Sequence, residues 1–262
     1  MNWNKDSNLS EEQDKILKTV MAIILLISMV IASREMARMN NEKMQVMSNN
    51  KNGSFISGNG IVTSEHTDKN QFCVVVDPGH GGRDVGKLGI NNALEKDVNL
   101  EVALLLKEDL EKNNIKVIMI RETDIGLYKE SDSNKKMQDL KARIKIMEDS
   151  KCNMAISIHQ NSYHESDVNG AQTFYYTSSK EGKKIAEIIQ EKLILGVDPT
   201  NHRKAKENDF YFLLKKTTVP LVIVECGFLS NYTEAELLVT KEYQKKIAQA
   251  ISDGIINYLT NK

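Results

Sequence analysis

The sequence predicts an α/β fold: a single domain with a mostly parallel, twisted central sheet flanked by helices on both faces. Two observations carry this. Short, purely apolar runs such as Val74-Val75-Val76 and Leu221-Val222-Ile223-Val224 alternate with longer stretches of helical periodicity. Strands that are apolar on both sides belong to parallel sheets covered by helices on both faces.

The elements follow in order. Residues 72–76 form the first buried strand. Residues 98–110 form a helix, with Val98, Val102, Leu105, Leu106 and Leu110 at helical spacing. A strand over 115–120 precedes an amphipathic helix over 137–147, carried by Leu140, Ile144 and Met147. Strands over 155–158 and 171–176 follow, then a helix over 182–195 through Ile185, Ile188, Ile189 and Leu193. Pro220 introduces the strand 221–224, and helices over 233–239 and 243–258 close the chain.

Organisation at the N-terminus differs. Residues 19–33 form an uncharged apolar run preceded by Lys15 and Lys18 and followed by Arg34. Such a segment directs export across the cytoplasmic membrane, as a cleaved signal peptide or as a retained anchor. Residues 35–70 are rich in Asn, Lys, Ser and Gly and form a flexible linker. The expected partition is therefore 1–34 as signal or anchor, 35–70 as linker and 71–262 as the folded domain.

Composition narrows the function. The net charge of −1 gives no basic face for nucleic acid. Cys73, Cys152 and Cys226 lack metal-type spacing, and each lies in or beside an apolar run. They are expected as small buried hydrophobes, with no disulfide framework.

Four residues carry the chemistry. His80 lies in Asp77-Pro78-Gly79-His80-Gly81-Gly82, directly after a strand. The glycines permit a tight turn beside the imidazole. A phosphate-cradling loop is the competing interpretation, but no G-x-G-x-x-G or G-K-[ST] pattern is present. Glu95 opens a helix, where an acid is also expected as a partner of the helix dipole. His159 ends the strand of Ser157-Ile158-His159-Gln160-Asn161, where the alternative is a satisfied core histidine. Glu225 ends Leu221-Val222-Ile223-Val224, where a carboxylate is costly without a partner or a task. Two imidazoles and one carboxylate make a catalytic-type zinc sphere, and a further carboxylate serves as general base. Asn161, on the same rim, is a candidate substrate contact. Arg203, in the basic stretch Arg203-Lys204-Ala205-Lys206, either is solvated or borders a cleft for an anionic substrate. His66, His164 and His202 are expected to be ordinary, and Arg121 and Asp124 to form a loop-fixing ion pair.

The chain resembles the zinc-dependent N-acetylmuramoyl-L-alanine amidases of bacterial cell-wall metabolism. The resemblance rests on residues 77–82, Glu95, Arg121-x-x-Asp124, Leu140-x-x-Arg143, Ser157-Ile158-His159-x-Asn161 and Val224-Glu225-Cys226-Gly227-Phe228-Leu229-Ser230-Asn231. It runs from residue 72 to residue 258. Residues 94–103, Gly170-Ala171-Gln172-Thr173-Phe174-Tyr175-Tyr176, 203–206 and 234–238 are similar to the spore-cortex, germination-specific branch. Asn153 and Cys226 depart from residues common in the family, and neither removes a catalytic group.

The resemblance implies one zinc ion per chain, bound by His80, Glu95 and His159, with Glu225 as catalytic acid/base. It implies a peptidoglycan substrate, cleavage between N-acetylmuramic acid and L-alanine, and a part in forming muramic-δ-lactam. No wall-binding repeat is visible, so an accessory or activating protein is expected. A non-catalytic peptidoglycan-binding module on the same fold and a zinc peptidase acting within the stem are the alternatives.

Overall fold

The computed structural model describes residues 71–261. The apolar run at 19–33 and the linker at 35–70 lie outside the described residues. Among the described residues, no helix is long and apolar enough to cross a membrane.

Among the described residues, six strands form one sheet in the order β2-β1-β3-β6-β4-β5. They are β1 (Cys73–Pro78), β2 (Lys116–Met119), β3 (Met154–Asn161), β4 (Gln172–Tyr175), β5 (Lys206–Glu207) and β6 (Leu221–Phe228). The pairs β1–β2, β1–β3, β3–β6 and β4–β5 are parallel. Only β4–β6 is antiparallel. The helices are α1 (Glu95–Lys112), α2 (Lys135–Ser150), α3 (Lys180–Gly196), α4 (Phe212–Lys216), α5 (Tyr232–Leu238) and α6 (Lys241–Thr260). The sheet is thus mostly parallel with helices on both faces, as the sequence predicts.

Strand alternation sorts the core. Val74, Val76, Ile156, Ile158, Val222 and Val224 point to one face, under α1, α3 and α6. Val75, Ala155, Leu221 and Ile223 point to the other, under α2 and α4. Polar side chains start α2, α3 and α5. Asn134 accepts from Met137 N, Ser179 from Gly182 N, and Asn231 from Thr233 N and Glu234 N. Each satisfies an amide that the first helical turn leaves unpaired.

Two elements were not predicted. β5 has two residues and α4 has five. Neither is long enough to express a period.

The cysteines correct a second expectation. Cys73 and Cys152 form a disulfide, whereas Cys226 is a buried thiol as expected. The cause is register. Val74 pairs with Met154, so the start of β1 lies beside the turn leading into β3. The two Cα atoms are 4.7 Å apart, within bridging reach. Asn153 supports the junction, donating its N–H to Cys73 O and accepting from Cys73 N.

The bridge closes a loop of sequence separation 79. Replacing Cys73 and Cys152 by Ser should destabilise the domain by about 2–4 kcal/mol in urea titrations. Thiol labelling of the unfolded, unreduced wild type should find one reactive cysteine per chain, Cys226. Three reactive thiols in protein isolated without reductant would remove the bridge.

Candidate active site

The strand order reverses on either side of β1, and open α/β sheets place their sites at the carboxyl ends of the strands there. β1 delivers the loop carrying His80, and β3 delivers His159. Glu225 pairs in register with His159 on the next parallel strand. Alternation puts Asp77, Ser157, His159 and Glu225 on the face covered by α2 and α4. Glu95 arrives differently. After His80 the chain folds back, Leu88 bridging to Leu94, and Glu95 N–H bonds Lys87 O as α1 begins.

Glu95 Oε1 is the meeting point. It lies 3.1 Å from His80 Nε2 and 3.0 Å from His159 Nδ1. These three atoms could take one metal ion. Glu95 Oε2 accepts from Lys87 N at 2.7 Å, which orients the carboxylate. The other edge of His80 is held as well, Nδ1 lying 3.1 Å from Asp84 Oδ1. A carboxylate behind a ligating imidazole fixes ring orientation and raises basicity.

Charge in the cluster is mutually supported. Burial lowers the His80 pKa, but hydrogen bonds and charges from Asp84 and Glu95 together outweigh it and raise it to about 9. Burial likewise raises the Glu95 carboxyl, and the hydrogen bonds and charges of His159 and His80 overcome that, holding it well below the usual carboxylate range. A divalent cation would compete with protons for the imidazole lone pairs gathered on this carboxylate oxygen. The donor set is nitrogen, nitrogen and oxygen with no thiolate, which suits zinc in a catalytic site.

Close approach decides the surrounding backbone. A Cβ on Gly79 would lie 2.2 Å from the His159 ring. A Cβ on Gly86 would lie 2.5 Å from Glu95 Oε2, and Gly86 also has φ +70°. His80 itself has φ +62°, a conformation a non-glycine residue holds only when its surroundings enforce it. Buried Arg143, from α2, enforces it by donating to Pro78 O and His80 O. Burial opposes the Arg143 charge, and Asp77 and Asp139 overcome that and raise its pKa. Ser157 Oγ donates to the remaining oxygen of Asp77.

Glu225 is separate from the three convergent groups. It is 6% exposed, with Oε1 accepting from the Tyr211 hydroxyl at 3.1 Å. Its Oε2 is buried without a hydrogen-bond partner. Burial pushes the Glu225 carboxyl up, a shift that His159 opposes and Glu95 reinforces. Glu225, Tyr211, His159, Leu140 and Leu213 line a cavity of about 140 Å³ between α2 and α4. That is below the roughly 300–1,000 Å³ of sites that enclose a ligand.

A family model described as N-acetylmuramoyl-L-alanine amidase matches residues 74–257. The chain belongs to this family. The germination-specific N-acetylmuramoyl-L-alanine amidase of Bacillus subtilis (strain 168) is 41% identical over 192 residues, 72% of this chain and 80% of the relative. The CwlD amidase from Clostridioides difficile, solved in complex with the GerS lipoprotein, matches with a TM-score of 0.71 at 42% identity. It covers 73% of this chain and 100% of that one. An N-acetylmuramoyl-L-alanine amidase from Clostridium difficile 630 matches with a TM-score of 0.66 at 30% identity, covering 74% and 99%. The enzyme is accordingly a peptidoglycan amidase, acting on the bond between N-acetylmuramic acid and L-alanine.

Other residues singled out from the sequence of this amidase fall in different places. Asn161 ends β3 half-buried, its Oδ1 accepting from Ser162 N. Arg203 donates to Asn169 O and Gln172 Oε1 and lies 4.7 Å from the Phe228 ring centre. It does not line the cavity of His159 and Glu225. His164 and His202 are exposed. The expected Arg121–Asp124 pair is replaced by other contacts. Arg121 is buried and donates to backbone carbonyls, and Asp124 pairs with Lys96 at 2.6 Å. Carbonyls carry no sequence signature, which is why the pairing was misassigned. Asp84 and Tyr211 were missed for a related reason. Each reaches the site from a loop whose path no periodicity reveals.

Gly79→Ala tests the close packing. The added methyl must displace the His159 imidazole, so zinc affinity should fall by about 10–100-fold, the range seen when ligand orientation is lost. Circular dichroism should remain that of the folded domain. Unchanged zinc affinity would show that His159 does not need this approach.

Proposed function

We propose that the chain is a zinc-dependent amidase, exported from the cytoplasm, that removes peptide stems from muramic acid during formation of muramic-δ-lactam in the spore cortex. The convergence of His80, Glu95 and His159 on one point beside the buried Glu225 carries the chemical part. Similarity to the germination-specific relative supports the cortex role.

His80 Nε2, Glu95 Oε1 and His159 Nδ1 would hold the metal. Bound zinc supplies Lewis-acid polarisation of the attacking water and of the scissile carbonyl. Glu225 takes the proton of the attacking water and delivers it to the departing L-alanine amine. Its unpartnered Oε2 is the oxygen available for this. Burial raises its pKa, which favours the protonated form that serves as the returning acid. Family membership favours the amidase over a non-catalytic binding module and over a stem peptidase.

Export rests on the apolar run at 19–33, and a Cys73–Cys152 disulfide suits an oxidising compartment outside the cytoplasm. An accessory protein is part of the proposal, supported by the lipoprotein complex of the clostridial relative.

Glu225→Gln should retain zinc while turnover falls by about 10²–10⁴-fold. Glu95→Gln should instead lose the metal. Mass spectrometry of digested peptidoglycan should find intact lactyl-muramic acid and new L-alanine amino termini. Cleavage within the stem would make the enzyme a peptidase, and a fully active Glu225→Gln would remove the role given to Glu225. Full turnover by the purified chain on intact sacculi would remove the need for an accessory protein.

A reporter active only outside the cytoplasm, fused after residue 70, should give signal. A silent reporter soluble in the cytosol would refute export.

A further inference from the structure

We propose that Tyr211 is a positioning residue for the hydrolysis: its phenol ties down Oε1 of Glu225 and so leaves Oε2 as the oxygen that exchanges the proton. The proposal rests on the acid/base role given to Glu225 above. A carboxylate rotates about its last bond with a broad, two-fold preference, so without a tether its two oxygens exchange. Here they are inequivalent. Oε1 accepts from the Tyr211 hydroxyl at 3.1 Å, whereas Oε2 is buried without a hydrogen-bond partner. Leaving a buried carboxylate oxygen unpaired is costly, so an oxygen kept in that state suits a group that takes up a proton during turnover.

Tyr211 is itself anchored on three sides. Asn208 Oδ1 accepts from Phe210 N at 2.8 Å and from Tyr211 N at 2.9 Å, a side-chain turn that sets the approach of the aromatic residue. Asn208 N–H in turn bonds Tyr175 O, tying this turn to the end of β4. The Tyr211 ring packs edge-on against Phe174, with centroids 5.6 Å apart and planes at 78°. Its carbonyl accepts from Lys215 N as α4 begins. Neighbouring Phe210 is 94% exposed, whereas Tyr211 and Phe212 line the cavity. Burial and the Glu225 charge push the phenol pKa up, so the hydroxyl donates and does not compete as a base.

A purely structural role would show as lost stability or lost metal; positioning shows in kcat. The test uses the full-length chain as wild type, Tyr211→Phe, Glu225→Gln and the double variant. Each is assayed for zinc content, thermal midpoint, kcat and KM on peptidoglycan. Tyr211→Phe keeps the ring on Phe174 and removes only the hydroxyl. Its kcat should fall by about 10–100-fold, as expected for a lost hydrogen bond to a charged group. Zinc content, midpoint and KM should stay at wild-type values. Because Tyr211 acts through Glu225, the double variant should be no slower than Glu225→Gln. Asn208→Ala, which loosens the same tether outside the cleft, should show a smaller loss confined to kcat. It carries the test if Tyr211→Phe does not fold.

Wild-type kcat in Tyr211→Phe beside an inactive Glu225→Gln overturns this proposal alone. So does a loss confined to KM or to zinc content, or a multiplication of losses in the double variant. Full activity of Glu225→Gln overturns the role of Glu225 and this proposal with it.

Discussion

Two buried guanidinium groups hold the loop on which the site depends. Arg121 donates to Pro78 O and Gly79 O, and Arg143 to Pro78 O and His80 O. Three successive carbonyls are thereby satisfied where the chain leaves β1 in a conformation that secondary structure cannot pair. A buried polar backbone left unpaired would cost more than the turn gains. Arg121 also donates to Lys96 O, in the first turn of α1. One side chain therefore ties the His80 loop to the helix start carrying Glu95. Asp77 keeps the second guanidinium charged, and breaking such a buried pair costs about 3–5 kcal/mol. The strain at His80 persists because these contacts over-determine it.

The two carboxylates of the cleft are driven in opposite directions by their surroundings. Glu95 sits between two imidazoles and is held ionised. Glu225, on β6, is pushed up by burial, a shift that His159 and the Tyr211 phenol oppose and Glu95 reinforces. Separated pKa values give two nearby acids different chemistry. The parallel register of His159 and Glu225 sets this arrangement at the spacing of adjacent strands, about 4.8 Å. The Arg143–Asp77–Ser157 chain stiffens the same end of the sheet one register step behind.

Much of this was legible in the chain. The apolar runs before His80, His159 and Glu225 predict strands leading into all three, although β3 and β6 run on past His159 and Glu225, and the helical period beginning near Val98 predicts the helix start at which Glu95 lies. What failed to show has a common character. Tyr211 enters from a segment without periodicity, between a two-residue strand and a five-residue helix. Asp84 acts through a loop that doubles back. Arg121 bonds carbonyls, which no residue type announces, and its supposed partner Asp124 goes to Lys96. The Cys73–Cys152 bridge joins residues whose separation in sequence says nothing about their adjacency.

The sequence by itself determined the fold class, the order of the longer strands and helices, and a short set of imidazoles and carboxylates as candidates for chemistry. Those properties follow from local patterning, because alternation and helical period are written in neighbouring residues. Only the tertiary structure decided that Glu95 Oε1 lies between two histidines, that Oε2 of Glu225 stays unpaired, and that two arginines hold one strained loop. These depend on strand register and on loops that return across the sheet, and such contacts form between residues tens of positions apart.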